Sequence, residues 1–136
     1  AKGKSIDVYN HGQMQRDFTY IDDVVEGVIR VMNKPQAKIT KEDAAAQDKD
    51  NTAPYKIYNI GNHSPVTLMD FITTIEQAMG KTAQKNMMPM QMGDVPRTYA
   101  DVDELMSDVG FKPDTSLAEG ILKFVEWYND YYKVEA

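Results

Sequence analysis

The apolar residues of this chain keep changing period, from the two-residue alternation of a strand to the three-and-four spacing of a helix. A chain patterned this way buries its apolar faces only by laying helices against short strands. Ile6-Asp7-Val8-Tyr9 alternates, and Asn10-His11-Gly12 follows as a turn signal. Arg16-Asp17-Phe18-Thr19-Tyr20-Ile21 is a second β-prone run, and the two can pair as a small hairpin. Thr19 or Asp22 offers an N-cap, with Asp22 and Asp23 favourable to the dipole of the helix that follows. Val24, Val25, Val28, Ile29 and Met32 share one face of that helix, and Lys34-Pro35 ends it.

Residues 36–54 then change character. They are rich in Lys, Asp, Gln and Ala and almost free of large apolar side chains. This stretch reads as a solvated loop inserted within a domain, with a short helical turn at Lys41 to Gln47. Tyr55 to Ile60 is the best strand in the sequence, closed by Gly61-Asn62. Thr67 and Asp70 form a capping arrangement for a helix that turns Leu68, Phe71, Ile72, Ile75 and Met79 inward and stops at Gly80. Gln84 to Met90 reads as a strand, and Gln91 to Thr98 as a loop shaped by Gly93 and Pro96. Asp101 to Val109 is a short helix with Asp101 as its N-cap and Gly110 as its stop. Ser116 with Glu119 is a capping box. It opens a last helix with Leu117, Ile121, Phe124, Val125 and Tyr128 on one stripe. The strands are too few and scattered for a complete doubly wound sheet. The fold class is α/β, a piece of a larger α/β protein, or a small α+β domain when isolated.

Composition removes several functions. The 136 residues carry a net charge of −6, which disfavours a bulk attraction to nucleic acid or anionic lipid. There is no cysteine, so thiolate nucleophiles, thiolate metal sites and disulfides are excluded together. No apolar run approaches the roughly 20 residues of a membrane span. No signal peptide is visible, and the expected compartment is the cytosol. The eight glycines are dispersed, without the Gly-rich turn that lets a backbone approach a pyrophosphate. The two histidines, His11 and His63, lie far apart beside turn residues and read as exposed turn side chains, not as metal ligands. No Tyr is followed four positions later by Lys.

Two segments carry candidate chemistry. Arg16 stands just before a short apolar strand, where a rigid backbone can aim its guanidinium fork at a phosphate. The plain alternative is a surface ion pair with a nearby carboxylate. Asp22 and Asp23 are adjacent and point different ways, so they are helix-start charges and not a catalytic dyad. In the second segment, Gln91, Asp94 and Arg97 supply a neutral donor, an acceptor and a cation within one loop. That set suits a ribose and a diphosphate, and it equally suits a polar connection before a helix. Met87, Met88, Met90 and Met92 read as core gap fillers, and Trp127, Tyr128, Tyr131 and Tyr132 as the aromatic face of the last helix.

Taken in order, these segments resemble the C-terminal portion of nucleotide-sugar epimerases of the extended short-chain dehydrogenase/reductase family. The matching residues are Asp7-Val8-Tyr9-Asn10-His11-Gly12, Arg16-Asp17-Phe18-Thr19-Tyr20-Ile21-Asp22-Asp23 and Tyr58-Asn59-Ile60-Gly61-Asn62. Leu68-Met69-Asp70-Phe71, Pro89-Met90-Gln91, Gly93-Asp94-Val95, Thr98-Tyr99-Ala100-Asp101 and Phe124-Val125-Glu126-Trp127-Tyr128 continue the match. The resemblance is closest to UDP-glucuronate 4-epimerases, which also carry a polar insertion like that at residues 36–54. It implies that residues 1–136 are a substrate-binding domain fragment of an NAD-dependent isomerase. In the whole enzyme, a bound NAD takes a hydride from C4 of the sugar and returns it to the other face. A Tyr-x-x-x-Lys pair handles the proton. Both the Gly-rich NAD motif and that pair lie upstream in the family and are absent here. The chain alone is therefore expected to hold no catalytic residue, no cofactor and no metal, and to catalyse nothing.

What the resemblance carries onto this chain is nucleotide-sugar binding. Arg16 takes the family's diphosphate contact. Gln91 stands where many UDP-galactose epimerases have a second diphosphate-binding Arg, so that contact is weaker here. Asp94 takes the role of the carboxylate that positions the ribose or the Arg, and Arg97 is a further cation of unassigned role. Expected partners are the UDP-sugar and the N-terminal Rossmann half, with neither nucleic acid nor membrane. The full-length protein is expected to be a homodimer. A nucleotide-sugar dehydratase or decarboxylase shares this pattern, and a free-standing binding domain is the non-enzymatic alternative. The start at Ala1, without Met, fits an excised chain.

Overall fold

The computed structural model describes residues 3–34 and 56–134. The polar stretch at 36–54, its helical turn at Lys41 to Gln47, and Tyr55 all lie outside the described residues.

Among the described residues, four short strands and four helices form an α/β arrangement. Strand β1 (Ile6–Val8) runs into a tight turn over Tyr9–Gly12, then β2 (Gln15–Arg16) and helix α1 (Ile21–Asn33). Strand β3 (Val66–Thr67) leads directly into α2 (Leu68–Met79). Strand β4 (Lys85–Met87), α3 (Asp103–Val109) and α4 (Leu117–Tyr132) complete the order.

The hairpin expected between the first two runs does not form. β1 pairs parallel with β4, with Ile6 opposite Lys85 and Val8 opposite Met87. β2 pairs antiparallel with β3 instead, with Gln15 opposite Thr67 and Arg16 opposite Val66. The reason is the turn. Asn10 (φ 48°) and His11 (φ 49°) are both left-handed and Gly12 follows at φ 79°. A type I′ hairpin loop uses two such residues, and this turn has a third, so it is not the tight loop that returns a strand onto its neighbour. A Cβ at Gly12 would come within 2.6 Å of Met69 Cγ, so only glycine fits there.

The second β-prone run is also shorter than its sequence promised. Only Gln15 and Arg16 pair, and the chain then bends to start α1 behind Tyr20, not behind Thr19 or Asp22. Among the described residues, the best sequence strand has no strand partner over 56–60, where Ile57 is 77% exposed. β-propensity is realised only where a neighbouring strand satisfies the backbone, and no described strand lies beside this segment.

The helix signals fare better. Thr67 Oγ1 accepts from Asp70 N at 3.0 Å, and Gly80 closes α2 in the left-handed conformation. Ser116 Oγ accepts from Glu119 N at 3.2 Å. Asp101 is not the N-cap of α3. Val102 occupies that position, and Asp101 Oδ1 accepts from Asp103 N across an Asx turn.

The core is small. Val8, Met14, Ile72, Val102, Leu105, Ile121 and Val125 are buried, and α2 packs along α4. Phe18 stacks on Phe71 at 4.1 Å between ring centroids. Asp23 is more than a helix-start charge. It is buried, and its Oδ2 accepts from Thr115 N at 3.0 Å, tying α1 to the segment before α4. The stripe of α1 behaves differently from expectation: Val25, Val28, Ile29 and Met32 are exposed, while Asp23 and Gly27 form its buried side.

Candidate functional site

The candidate residues converge where three distant segments meet at β2. Gln15 N donates to Pro96 O at 2.9 Å and Thr98 N donates to Gln15 O at 3.2 Å. The loop after β4 thereby lies parallel to β2 on one side while β3 pairs on the other, with Gln15 bridged to Arg97. Rigid backbone on both sides holds Arg16 in place.

Arg16 Nη2 donates to Asp94 Oδ1 at 2.7 Å, and Nη1 donates to the carbonyl of Gln15 at 2.8 Å. Asp94 Oδ1 also accepts from Val95 N at 2.9 Å, and Asp94 N closes a turn onto Gln91 O. The structure shows the plain alternative for Arg16, the ion pair with a nearby carboxylate. The surface ion pair exists, and it presents a charged fork with donors still to spare. The Arg97 guanidinium lies 5.5 Å from the centroid of the Tyr99 ring. Gln91, Asp94 and Arg97 are exposed on the same loop. Arg16 and Asp94 are brought into contact, and Gln91 and Arg97 share the Asp94 loop without a side-chain hydrogen bond or ion pair to either. An apolar pocket of about 320 Å³ among Phe18, Tyr20, Phe71, Ile121 and Phe124 is lined by none of them.

Residues that sequence reasoning passed over organise this face. Asp17 Oδ2 accepts from His63 N and from Ala100 N, each at 3.1 Å. Its Oδ1 accepts from Ser64 N at 3.2 Å, and Asp17 N donates to Thr98 Oγ1 at 3.1 Å. A Cβ on Gly61 would stand 2.2 Å from the Ala100 Cβ, so glycine is what lets the two segments close over Asp17. His63 is no free turn side chain. Its Nδ1 donates to Ala100 O at 3.0 Å, which leaves Nε2 to accept from the Tyr99 hydroxyl. His11 does stand exposed in its turn, as the sequence suggests.

A second polar cluster joins α1, the 56–58 segment and α3. Lys56 Nζ and the Tyr58 hydroxyl both donate to Asp108 Oδ2, at 2.8 and 2.6 Å. These hydrogen bonds hold the Asp108 carboxyl down to about 2. Lys85 and Ala83 N likewise donate to Glu76 and lower its pKa. These are fastening pairs within the fold.

The residues present do not fit an NAD site. The positive-φ glycines, Gly3, Gly12, Gly80, Gly93 and Gly110, sit singly in turns and helix ends, and none opens a helix behind a strand. Among the described residues no cluster of His, Asp or Glu could hold a metal ion, and no helix is long and apolar enough to cross a membrane.

Comparison with known proteins bears on the family and the fold. The model of the NAD dependent epimerase/dehydratase family matches residues 1–61. Protein CapI of Staphylococcus aureus is 53% identical over 131 residues, which cover 96% of this chain and 39% of that protein. A probable UDP-glucuronate 4-epimerase of Rhizobium meliloti is 45% identical over 133 residues, again 96% of this chain and 39% of that protein. Among solved structures, the UDP-glucuronic acid 4-epimerase of Bacillus cereus in complex with UDP-glucuronic acid and NAD superposes with a TM-score of 0.75. It is 25% identical and covers 96% of this chain and 37% of that one. The chain thus spans about 39% of the length of the curated relatives it matches first. Over that stretch its resemblance to nucleotide-sugar epimerases of the extended short-chain dehydrogenase/reductase family holds in both sequence and fold.

Proposed function

We propose that this chain is the UDP-sugar-binding part of an NAD-dependent nucleotide-sugar 4-epimerase that interconverts UDP-glucuronate and UDP-galacturonate. The observation that carries the reading is the placement of Arg16. Its guanidinium stands at the end of a two-sided ladder, paired with Asp94 and beside the exposed loop of Gln91 and Arg97. A dianionic diphosphate needs cations fixed in that way, and an acidic protein can supply them locally against its net charge of −6.

In this reading the chain's residues bind and orient. Arg16 donates to the diphosphate, and Asp94 holds Arg16 ready. Gln91 adds a neutral hydrogen bond, and Arg97 adds positive potential. NAD and the proton-transferring pair belong to the N-terminal Rossmann half that the longer relatives have room for. Residues 1–136 form one substrate-binding unit with its polar insertion at 36–54, and the working protein is a cytoplasmic homodimer.

The test is product analysis. A full-length protein carrying this sequence, incubated with UDP-glucuronate, is expected to yield UDP-galacturonate, and the 136-residue chain alone to yield nothing. Loss of CO₂ or water without a C4 epimer would overturn the epimerase reading in favour of a decarboxylase or dehydratase. Turnover of UDP-galactose with none of UDP-glucuronate would overturn the choice of sugar.

A further inference from the structure

We infer that Asp17 is the positioning residue of this site, the group that sets Arg16 and Asp94 in register. The inference rests on the diphosphate reading of Arg16 and adds the residue that makes the arrangement rigid. Arg16 and Asp17 are neighbours in an extended stretch and reach opposite ways: Arg16 to Asp94, Asp17 to the backbone of His63, Ser64 and Ala100. The Arg16–Asp94 pair cannot organise the loop by itself. Both side chains are partly exposed, and such pairs contribute little against solvent and the entropy of two mobile side chains. The Asp17 carboxylate is the stronger fastening. It takes three backbone N–H bonds from two segments 46 to 83 residues away, and charge-assisted bonds of this kind are about twice as strong as neutral ones. Its own N–H binds Thr98, inside the same strip of loop whose backbone bridges Gln15. Remove that carboxylate, and the loop bearing Gln91, Asp94 and Arg97 loses its attachment on the side away from β2.

Asp17→Asn tests this with little change in shape. An amide has one acceptor oxygen, so its NH₂ meets at least one of the three N–H donors head-on. In the 136-residue chain, NMR should show slow amide exchange at His63, Ser64 and Ala100 and a protected Arg16 guanidinium. Asp17→Asn should speed exchange at one or more of these amides and, through the loosened loop, at the Arg16 guanidinium. In a full-length protein carrying the sequence, Asp17→Asn should weaken UDP binding by about tenfold, and by clearly less when Arg16→Gln is already present, the remainder being what Gln91 and Arg97 lose. If Asp17→Asn does not fold, Thr98→Val removes one bond of the same fastening and should shift the same signals by less. Retained protection of Arg16 in either folded variant overturns the inference. Equal losses of UDP affinity with and without Arg16 also overturn it, because Asp17 would then act independently of Arg16. If Arg16→Gln leaves UDP affinity unchanged, the diphosphate reading fails instead, and the NMR signals alone decide the role of Asp17.

Discussion

At the scale of single residues, the site depends on a few charges fixed by backbone. Arg16→Ala in a full-length protein should weaken UDP binding by about 1.5–3 kcal/mol, the worth of a hydrogen bond to a charged group, as read by calorimetry. Gln91→Arg should tighten it, because a second cation would join a loop already held to β2. Asp108 makes a different prediction. Hydrogen bonds from Lys56 and Tyr58 lower its pKa from 3.8 to about 2 in the folded chain. A group lowered on folding contributes stability that is full above its unfolded value and is lost as pH falls through the folded one. Asp108→Asn should therefore flatten the acid limb of the stability curve between about pH 4 and pH 2, measured by urea unfolding at each pH. The legibility of these residues follows their chemistry. Arg16 and Asp94 stood out because an isolated charge in a β-prone or turn context asks for a ligand. Asp17 did not, because its partners are backbone N–H groups, which every residue carries and no sequence pattern marks. His63 was missed for the related reason that its bond to Ala100 O depends on two loops meeting over Gly61.

At the scale of elements, helices were legible and strands were not. A helix makes its hydrogen bonds within itself, and its ends need side chains that can be read off directly. Thr67, Gly80, Ser116 and Gly110 mark their helix ends as the sequence indicates. Thr67→Ala should accordingly cost about 1 kcal/mol of stability, seen as a lower Tm by circular dichroism, and Ser116→Ala about the same. A strand needs a neighbour that lies elsewhere in the chain, so its length and partner are tertiary facts. β1 found β4 seventy-nine positions on, and β2 found β3 and the Pro96–Thr98 strip. The run at 56–60 has every propensity of a strand and no described strand to pair with.

At the scale of the whole molecule, the apolar surface is unevenly covered. α2 and α4 bury Ile72, Ile121 and Val125 where they pack, yet Phe124 of α4 is 49% exposed and Val25, Val28, Ile29 and Met32 of α1 are 44 to 77% exposed. Four apolar side chains on one helix face form a contiguous patch of the kind that folded chains keep covered. In the 136-residue chain by itself, the cover at hand is a second copy. Sedimentation velocity should therefore show association that grows with concentration. Val28→Glu should suppress it, because a carboxylate in the middle of the patch would have to be desolvated in the pair. The same change should leave the unfolding free energy of the dilute chain almost unmoved, within about 0.5 kcal/mol, as for other exposed positions. In a full-length protein the expectation reverses. If the Rossmann half covers α1, Val28→Glu buries a charge at the junction and lowers Tm steeply. An unchanged Tm in both settings would mean that α1 faces water in the working protein and that the missing half docks elsewhere on this chain.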